Sequence, residues 1–339
     1  MSNVDEFHST VSSDSLVDHL RFMQDQEVDY KISVDYLLSS SSSSATVTAE
    51  DRHVLCLWSY QMIESLFSKL GREIACIGMS YLDRFMATSS ARAQVALSSR
   101  YEYQLATVAC LVLALKNRGG VKLDTTFVAD VMCQNMYTTN ELDAMEMEVL
   151  QALTWRLNGP SPHEFIDGLV RLLPSISFYG DGSDESPLFL LSEHSKIRVE
   201  TAILDYELAL QSSLSLAYAA ILTSLSNRSV LDGFHSTDLI NWMSNITSIM
   251  AGTRADRIFN SSLEEIIETI SSLSNFDDKE DDDSAHADED YNNKDDDNNN
   301  DNEASIVTDS VQSQMRIRSL SWSAGDFEHH LSTAIHDLV

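Results

Sequence analysis

The chain has 339 residues, enough for about two domains with separate cores, and its 43% of apolar residues can fill them despite a heavy charge. The formal charge is −31, much of it between Asp277 and Glu303, where only Lys279 and Lys294 are basic. A field of that sign repels phosphate backbones and anionic surfaces, which excludes general nucleic-acid and membrane binding and leaves a basic protein surface as a fitting partner.

The chain opens without a signal-peptide pattern, and no apolar run reaches the roughly 18 residues of a membrane span, so a soluble protein of the nucleus or cytoplasm is expected. Residues 14–38 form a leader with helical patterning, and the serine run that follows completes an N-terminal region of residues 1–45. All four prolines, Pro160, Pro162, Pro174 and Pro187, fall in one short region. The segments 46–155 and 190–274 are therefore free to carry long helices, and apolar residues recur there at helical spacing.

Residues 51–70 place Leu55, Trp58, Met62, Leu66 and Leu70 on one stripe, and residues 72–87 do the same with Ile74, Ile77, Gly78, Tyr81, Leu82 and Phe85. Residues 88–99 read as a long loop. The segment Gln104–Lys116 (QLATVACLVLALK) is apolar or small on every side, as a helix buried on every side must be, and predicts the centre of a bundle. A shorter helix follows over 124–133. Thr138-Thr139-Asn140-Glu141 is a capping box that opens a fifth helix bearing Leu142, Met145, Val149, Leu150, Leu153 and Trp155.

The linker Leu157-Asn158-Gly159-Pro160 ends that unit, and Ser161-Pro162-His163-Glu164 starts the next with a second capping box. Helical patterns over 162–173, 188–208, 211–226, 237–250 and 256–273 give a second count of five. Residues 275–339 open on a nearly pure Asp, Asn and Glu stretch that cannot bury enough surface to fold. The prediction is an all-α chain: residues 1–45 as leader and linker, 46–158 and 159–274 as two tandem five-helix units, and 275–339 as a disordered acidic tail.

Cys56, Cys76, Cys110 and Cys133 lie far apart, each within an apolar helical pattern, and read as reduced core thiols. The sequence carries no phosphate-binding glycine loop, HExxH, GxSxG or Cys/His cluster at metal spacing. No catalytic residue, metal ligand or cofactor is expected, and the chain reads as a binding protein, not an enzyme.

Specific residues resemble one family. Residues 81–85 (YLDRF) resemble the hallmark of the second cyclin-box helix, and residues 52–58 (RHVLCLW) resemble the RxxLxxW of the first. Gln104–Lys116 resembles the third helix with its closing lysine, and residues 145–157 (MEMEVLQALTWRL) resemble the fifth. Together they span residues 46–158. The match of the second unit to the family's C-terminal repeat is looser, and the leader resembles that of plant-like D-type cyclins without the retinoblastoma-binding LxCxE motif.

The resemblance implies two cyclin-fold repeats acting as the regulatory subunit of a cyclin-dependent protein kinase in cell-cycle control. By it, Lys116 and Glu146 reach backbone groups beside the kinase's C helix, and each is expected to hydrate freely in the unbound chain. Glu148 is the neighbouring candidate, and counting back from Val149-Leu150 sets the register on Glu146. Arg52 and Asp83 match a buried structural pair. Leu55, Trp58 and Gln104 match a surface on which RxL-type substrate peptides dock, with Asp51 where an apolar residue is usual. A second reading keeps the fold and drops the activity: an interaction scaffold without kinase activation. General transcription factors that grip promoter DNA share the architecture, but they need a basic face that this chain lacks.

Overall fold

A computed structural model describes residues 13–32, 34–37, 47–173, 187–225, 234–250, 263 and 265–273. Every regular element among them is helical. The leader helix is α1 (Ser13–Glu27). The first unit comprises α2 (Ala49–Leu66), α3 (Glu73–Met86), α4 (Ala91–Ser98), α5 (Arg100–Asn117), a turn α6 (Thr125–Phe127) that widens into a π-helical segment Val128–Met132, and α7 (Thr139–Ala152). The second comprises α8 (Pro162–Arg171), α9 (Pro187–Leu204), α10 (Tyr206–Ala209), α11 (Ser213–Ser224) and α12 (Ser236–Met250), with helical residues again at 265–273. The architecture is two tandem helical repeats. The acidic segment 275–339 and the serine run 39–46 lie outside the described residues.

Each unit is built around one enclosed helix. Every residue of α5 from Tyr103 to Leu115 is buried, with α3 and α7 packed along it and α4 across it. In the second unit α11 takes that place between α8 and α9. Alanines at positions 106, 109 and 114 let neighbours approach α5, and Gly78 does the same from α3. A Cβ at Gly78 would stand 3.1 Å from the Cα of Leu111 and 3.4 Å from its nitrogen, so the two helices touch backbone to backbone. Both expected capping boxes are present, Thr138 with Glu141 and Ser161 with Glu164, and a third joins Thr48 to Asp51 at the start of α2.

Two segments differ from the sequence reading. Residues 88–99, expected as a loop, contain α4: Ser90 caps it, and Ala93 and Ala96 are fully buried, so small residues without a wide apolar stripe suffice. The continuous helix expected over 188–208 breaks at Asp205, whose carboxylate accepts from the Leu208 N–H at 2.9 Å and starts α10 afresh. All four cysteines are buried and free, and burial pushes their thiols up, Cys56 to about 11 and Cys133 to about 12. Among the described residues no helix is long and apolar enough to cross a membrane.

The contact at Gly78 sets a test of this packing. Gly78→Val should force α3 away from α5 and cost about 1–3 kcal/mol, read as a lower melting temperature. An unchanged melting temperature would mean that the two helices are not in backbone contact.

Candidate functional site

The sequence points to one charged pair at the rim of α5, and the structure brings its members together. Lys116 lies in the last turn of α5, where the macrodipole favours a cation. Beyond it Gly120 takes a φ of +63°, a conformation natural to glycine, and the chain leaves the helix there. Glu146 comes from α7, on the side that faces α5. Lys116 Nζ donates to both carboxylate oxygens of Glu146, at 2.9 and 2.8 Å. The expectation that each hydrates freely in the unbound chain is thus corrected: they neutralise each other. The pair stays accessible, with 34% of the Lys116 side chain and 13% of the Glu146 side chain exposed. Glu148 points to solvent.

Around this pair α7 turns an unusual face outward. Met147 is 45% exposed, Glu148 and Gln151 are exposed, and just beyond the helix Trp155 is 64% exposed. The sequence places Trp155 on the buried stripe of the fifth helix, but α7 ends at Ala152 and the stripe ends at the buried Leu153 that caps it. Thr154 and Trp155 both adopt left-handed backbone, with φ of 51° and 60°. For residues with a Cβ this costs about 1–3 kcal/mol each, and the result is to hold an indole in water. The strain is sustained from the far side: Trp155 N–H bonds the Leu150 carbonyl at 2.9 Å, and Arg84 donates to the Arg156 carbonyl at 2.8 Å. Nothing in the apolar period signals this, because Trp155 continues it.

Arg52 and Asp83 form a buried pair of a different kind. Arg52 Nε and Nη2 each donate to one Asp83 oxygen at 2.8 Å, with the two side chains 0% and 2% exposed. Burial opposes the guanidinium charge, but the adjoining carboxylate outweighs it and keeps Arg52 firmly protonated. The remaining groups of the pair reach further than one helix contact. Arg52 Nη1 donates to the Ile203 carbonyl at the end of α9, at 2.7 Å, and the Tyr36 hydroxyl donates to Asp83 at 2.8 Å. Tyr36 in turn meets the Tyr206 ring edge-on at 5.2 Å, and the Tyr206 hydroxyl donates to Asp35 at 2.9 Å. One ion pair therefore joins leader, first unit and second unit.

Leu55, Trp58 and Gln104 are 5%, 8% and 6% exposed and pack in the core. Asp51 closes the same end of the bundle, bonded to Arg100 at 2.9 Å. The three residues expected to line a peptide-docking surface are thus buried in the free chain, and α4 stands where a loop was expected. Among the described residues no group of His, Cys, Asp and Glu is disposed to hold a metal ion.

Residues 18–158, which hold the Lys116–Glu146 and Arg52–Asp83 pairs, match the family described as Cyclin, N-terminal domain. Over these residues the chain carries a cyclin N-terminal domain. Similar curated proteins include the G1/S-specific cyclin-D2 of Gallus gallus, 26% identical over 58% of this chain and 62% of that protein. The G1/S-specific cyclin-D1 of Xenopus laevis is 30% identical over 36% of this chain and 39% of its own length, and the G2/mitotic-specific cyclin-B2 of Rana japonica is 30% identical over 45% and 36%. The chain thus spans between 36% and 62% of these three cyclins. Its fold is that of a viral cyclin from herpesvirus saimiri, with a TM-score of 0.55 over 75% of this chain and 97% of that one, at 18% identity.

The Arg52–Asp83 pair carries a direct stability test. Arg52→Ala should strand a buried carboxylate and cost on the order of 3–5 kcal/mol in chemical denaturation. Adding Asp83→Leu should recover part of the loss. Two small, additive effects would mean that the charges are not coupled.

Proposed function

We propose that the chain is the regulatory subunit of a cyclin-dependent protein kinase, binding it through the face built from Lys116, Glu146, Met147, Gln151 and Trp155. One observation carries this reading: α7 carries a half-buried ion pair to the last turn of the central helix and runs out into an exposed, backbone-strained tryptophan. Exposed tryptophan and desolvated charge are what a protein interface uses as anchors, and neither is favourable on a free surface. The kinase is the partner that the family implies, and the cyclin-D2 and cyclin-D1 relatives favour a D-type assignment. On this reading residues 46–158 form the kinase-facing repeat, and residues 159–274 form the second repeat that supports it.

The mechanism is a shift of population. A cyclin that binds the kinase's active arrangement of C helix and activation loop better than the inactive one moves the equilibrium by that difference in affinity. The chain supplies surface and charge for this and no reacting group. In the free protein Lys116 and Glu146 satisfy each other; in the complex each has hydrogen-bonding capacity left for backbone groups of the partner.

Exchanging the two charges separates binding from folding. Lys116→Glu with Glu146→Lys keeps an ion pair of similar exposure, so the melting temperature should hold, the pair itself contributing about 1 kcal/mol or less. Kinase binding should weaken more than about tenfold, and Trp155→Ala should do the same without loss of stability. Undiminished co-purification and stimulated phosphorylation in both variants would overturn the proposed face. Binding of the unaltered chain without any stimulation of the kinase would favour the scaffold reading.

A further inference from the structure

Beyond Trp155 the chain runs on as Arg156-Leu157-Asn158-Gly159, and each of the first three carbonyls accepts a hydrogen bond from a side chain elsewhere in the protein. Arg84 Nη2 donates to that of Arg156 at 2.8 Å, the Tyr81 hydroxyl to that of Leu157 at 2.8 Å, and Gln26 Nε2 to that of Asn158 at 3.4 Å. The fourth residue, Gly159, lies against the Tyr30 ring of the leader, so closely that a Cβ there would stand 2.7 Å from ring atoms Cγ and Cδ1. The Arg84 guanidinium lies over the same ring, 4.7 Å from its centre. We propose, resting on the reading of Trp155 as a partner anchor, that Tyr30 is a positioning residue for the partner face: its ring holds Arg84 and Gly159 in place and so keeps Trp155 in its exposed, left-handed setting.

The ring can hold other groups because it is itself fixed. Tyr30 closes a 3₁₀ turn, Val28–Tyr30, that follows α1 directly. Before it, Leu20 of α1 packs on Gly168 of α8, and Glu27 accepts from the Ser213 N–H at the start of α11. After it, Asp35 accepts from the Tyr206 hydroxyl, and the Tyr36 hydroxyl donates to Asp83. The leader is thus tied down on both sides of Tyr30, and the ring meets the segment after Trp155 from a firm frame.

A second leader group reaches the same segment, and exposure decides between the two. Asp29 pairs with Arg156 at 3.1 Å, but both side chains are more than half exposed, so water screens the pair. Arg84 is half-buried, and an aromatic face holds a partly desolvated guanidinium more strongly than an exposed one. Its donor is aimed at the carbonyl directly after Trp155, so any freedom that Arg84 gains reaches the strained turn first. Left-handed residues with a Cβ persist only where their surroundings over-determine them. Without the ring, Thr154 and Trp155 should relax toward ordinary backbone and open the bond from the Trp155 N–H to the Leu150 carbonyl. The leader thereby acts on the partner face from behind, through the turn.

Amide hydrogen exchange of the full chain, followed residue by residue by NMR, tests this without a kinase. In Tyr30→Ala the Trp155 amide should lose protection about tenfold or more, while the Leu153 amide, bonded to the Val149 carbonyl at the end of the same helix, keeps it. Tyr30→Phe keeps the ring and should restore the protection of Trp155. Equal protection of Trp155 in the unaltered chain and in Tyr30→Ala would overturn the proposal. So would a loss shared equally by Leu153 and α5, which a merely structural residue would give. Should Tyr30→Ala not fold, Gly159→Ala displaces the ring from the other side; the same selective loss is expected, and unchanged protection refutes the role. Affinity for a cyclin-dependent kinase is the second arm and should fall about tenfold in Tyr30→Ala. A selective loss at Trp155 with undiminished kinase binding upholds the positioning of the turn and overturns the proposed partner face instead.

Discussion

The Arg52–Asp83 pair is the constraint on which the arrangement of this molecule rests. Two charges removed from water cost more than their attraction returns unless every remaining donor and acceptor is used. Here nearly all are: Asp83 takes both guanidinium bonds and the Tyr36 hydroxyl, and Arg52 spends Nη1 on the Ile203 carbonyl. Each added bond comes from a different part of the chain. The requirement to satisfy one buried pair therefore fixes where the leader crosses, how α2 meets α3, and where α9 ends. The Tyr60 hydroxyl, which donates to the Glu200 carbonyl at 2.7 Å, repeats the inter-unit tie further along α2.

The partner face follows from that frame. Because α5 is enclosed on all sides until its last turn, Lys116 is the first residue of the helix from Tyr103 onward to reach solvent. Glu146 meets it there because α7 packs along α5. The same packing sets the outer side of α7 facing away from the core, which is why Met147 and Gln151 are exposed beside the pair. Hydrogen bonds from Tyr81 to the Leu157 carbonyl and from Arg84 to that of Arg156 then pin the segment after α7, and the left-handed turn at Thr154 and Trp155 is held between fixed ends. A rigid scaffold thus carries a strained, apolar, partly charged edge, the combination expected of a recognition surface.

Much of this was legible in the sequence, and the reasons differ by element. The all-round apolar run from Gln104 to Lys116 can only be a buried helix, and both T/S-x-x-E boxes mark helix starts through an identifiable hydrogen-bond geometry. Thr48-Ala49-Glu50-Asp51 carries the same signal with the shorter aspartate and was open to the same reading. The helix α4 was hidden because ARAQVALS has small residues on its buried side, and burial of alanine against α5 leaves no wide stripe to detect. The pairing of Lys116 with Glu146 and the exposure of Trp155 were beyond reach for another reason. Both depend on where α7 stops and how it turns against α5, a tertiary outcome that periodicity does not encode. The apolar character of Leu55 and Trp58 could not separate a docking surface from a core, because the difference lies in whether a neighbouring segment covers them.

The central claim is that the rim of α5 and α7 meets a kinase, and site-specific photo-crosslinking tests it most directly. A photoreactive residue placed at Met147 should, with a cyclin-dependent kinase present, form an adduct that maps to the kinase's C helix. The same group placed at Ile197, exposed on α9 of the second unit, should give no adduct there. Crosslinking to the C helix from Ile197 but not from Met147 would contradict the account, because the partner would then sit on the other repeat.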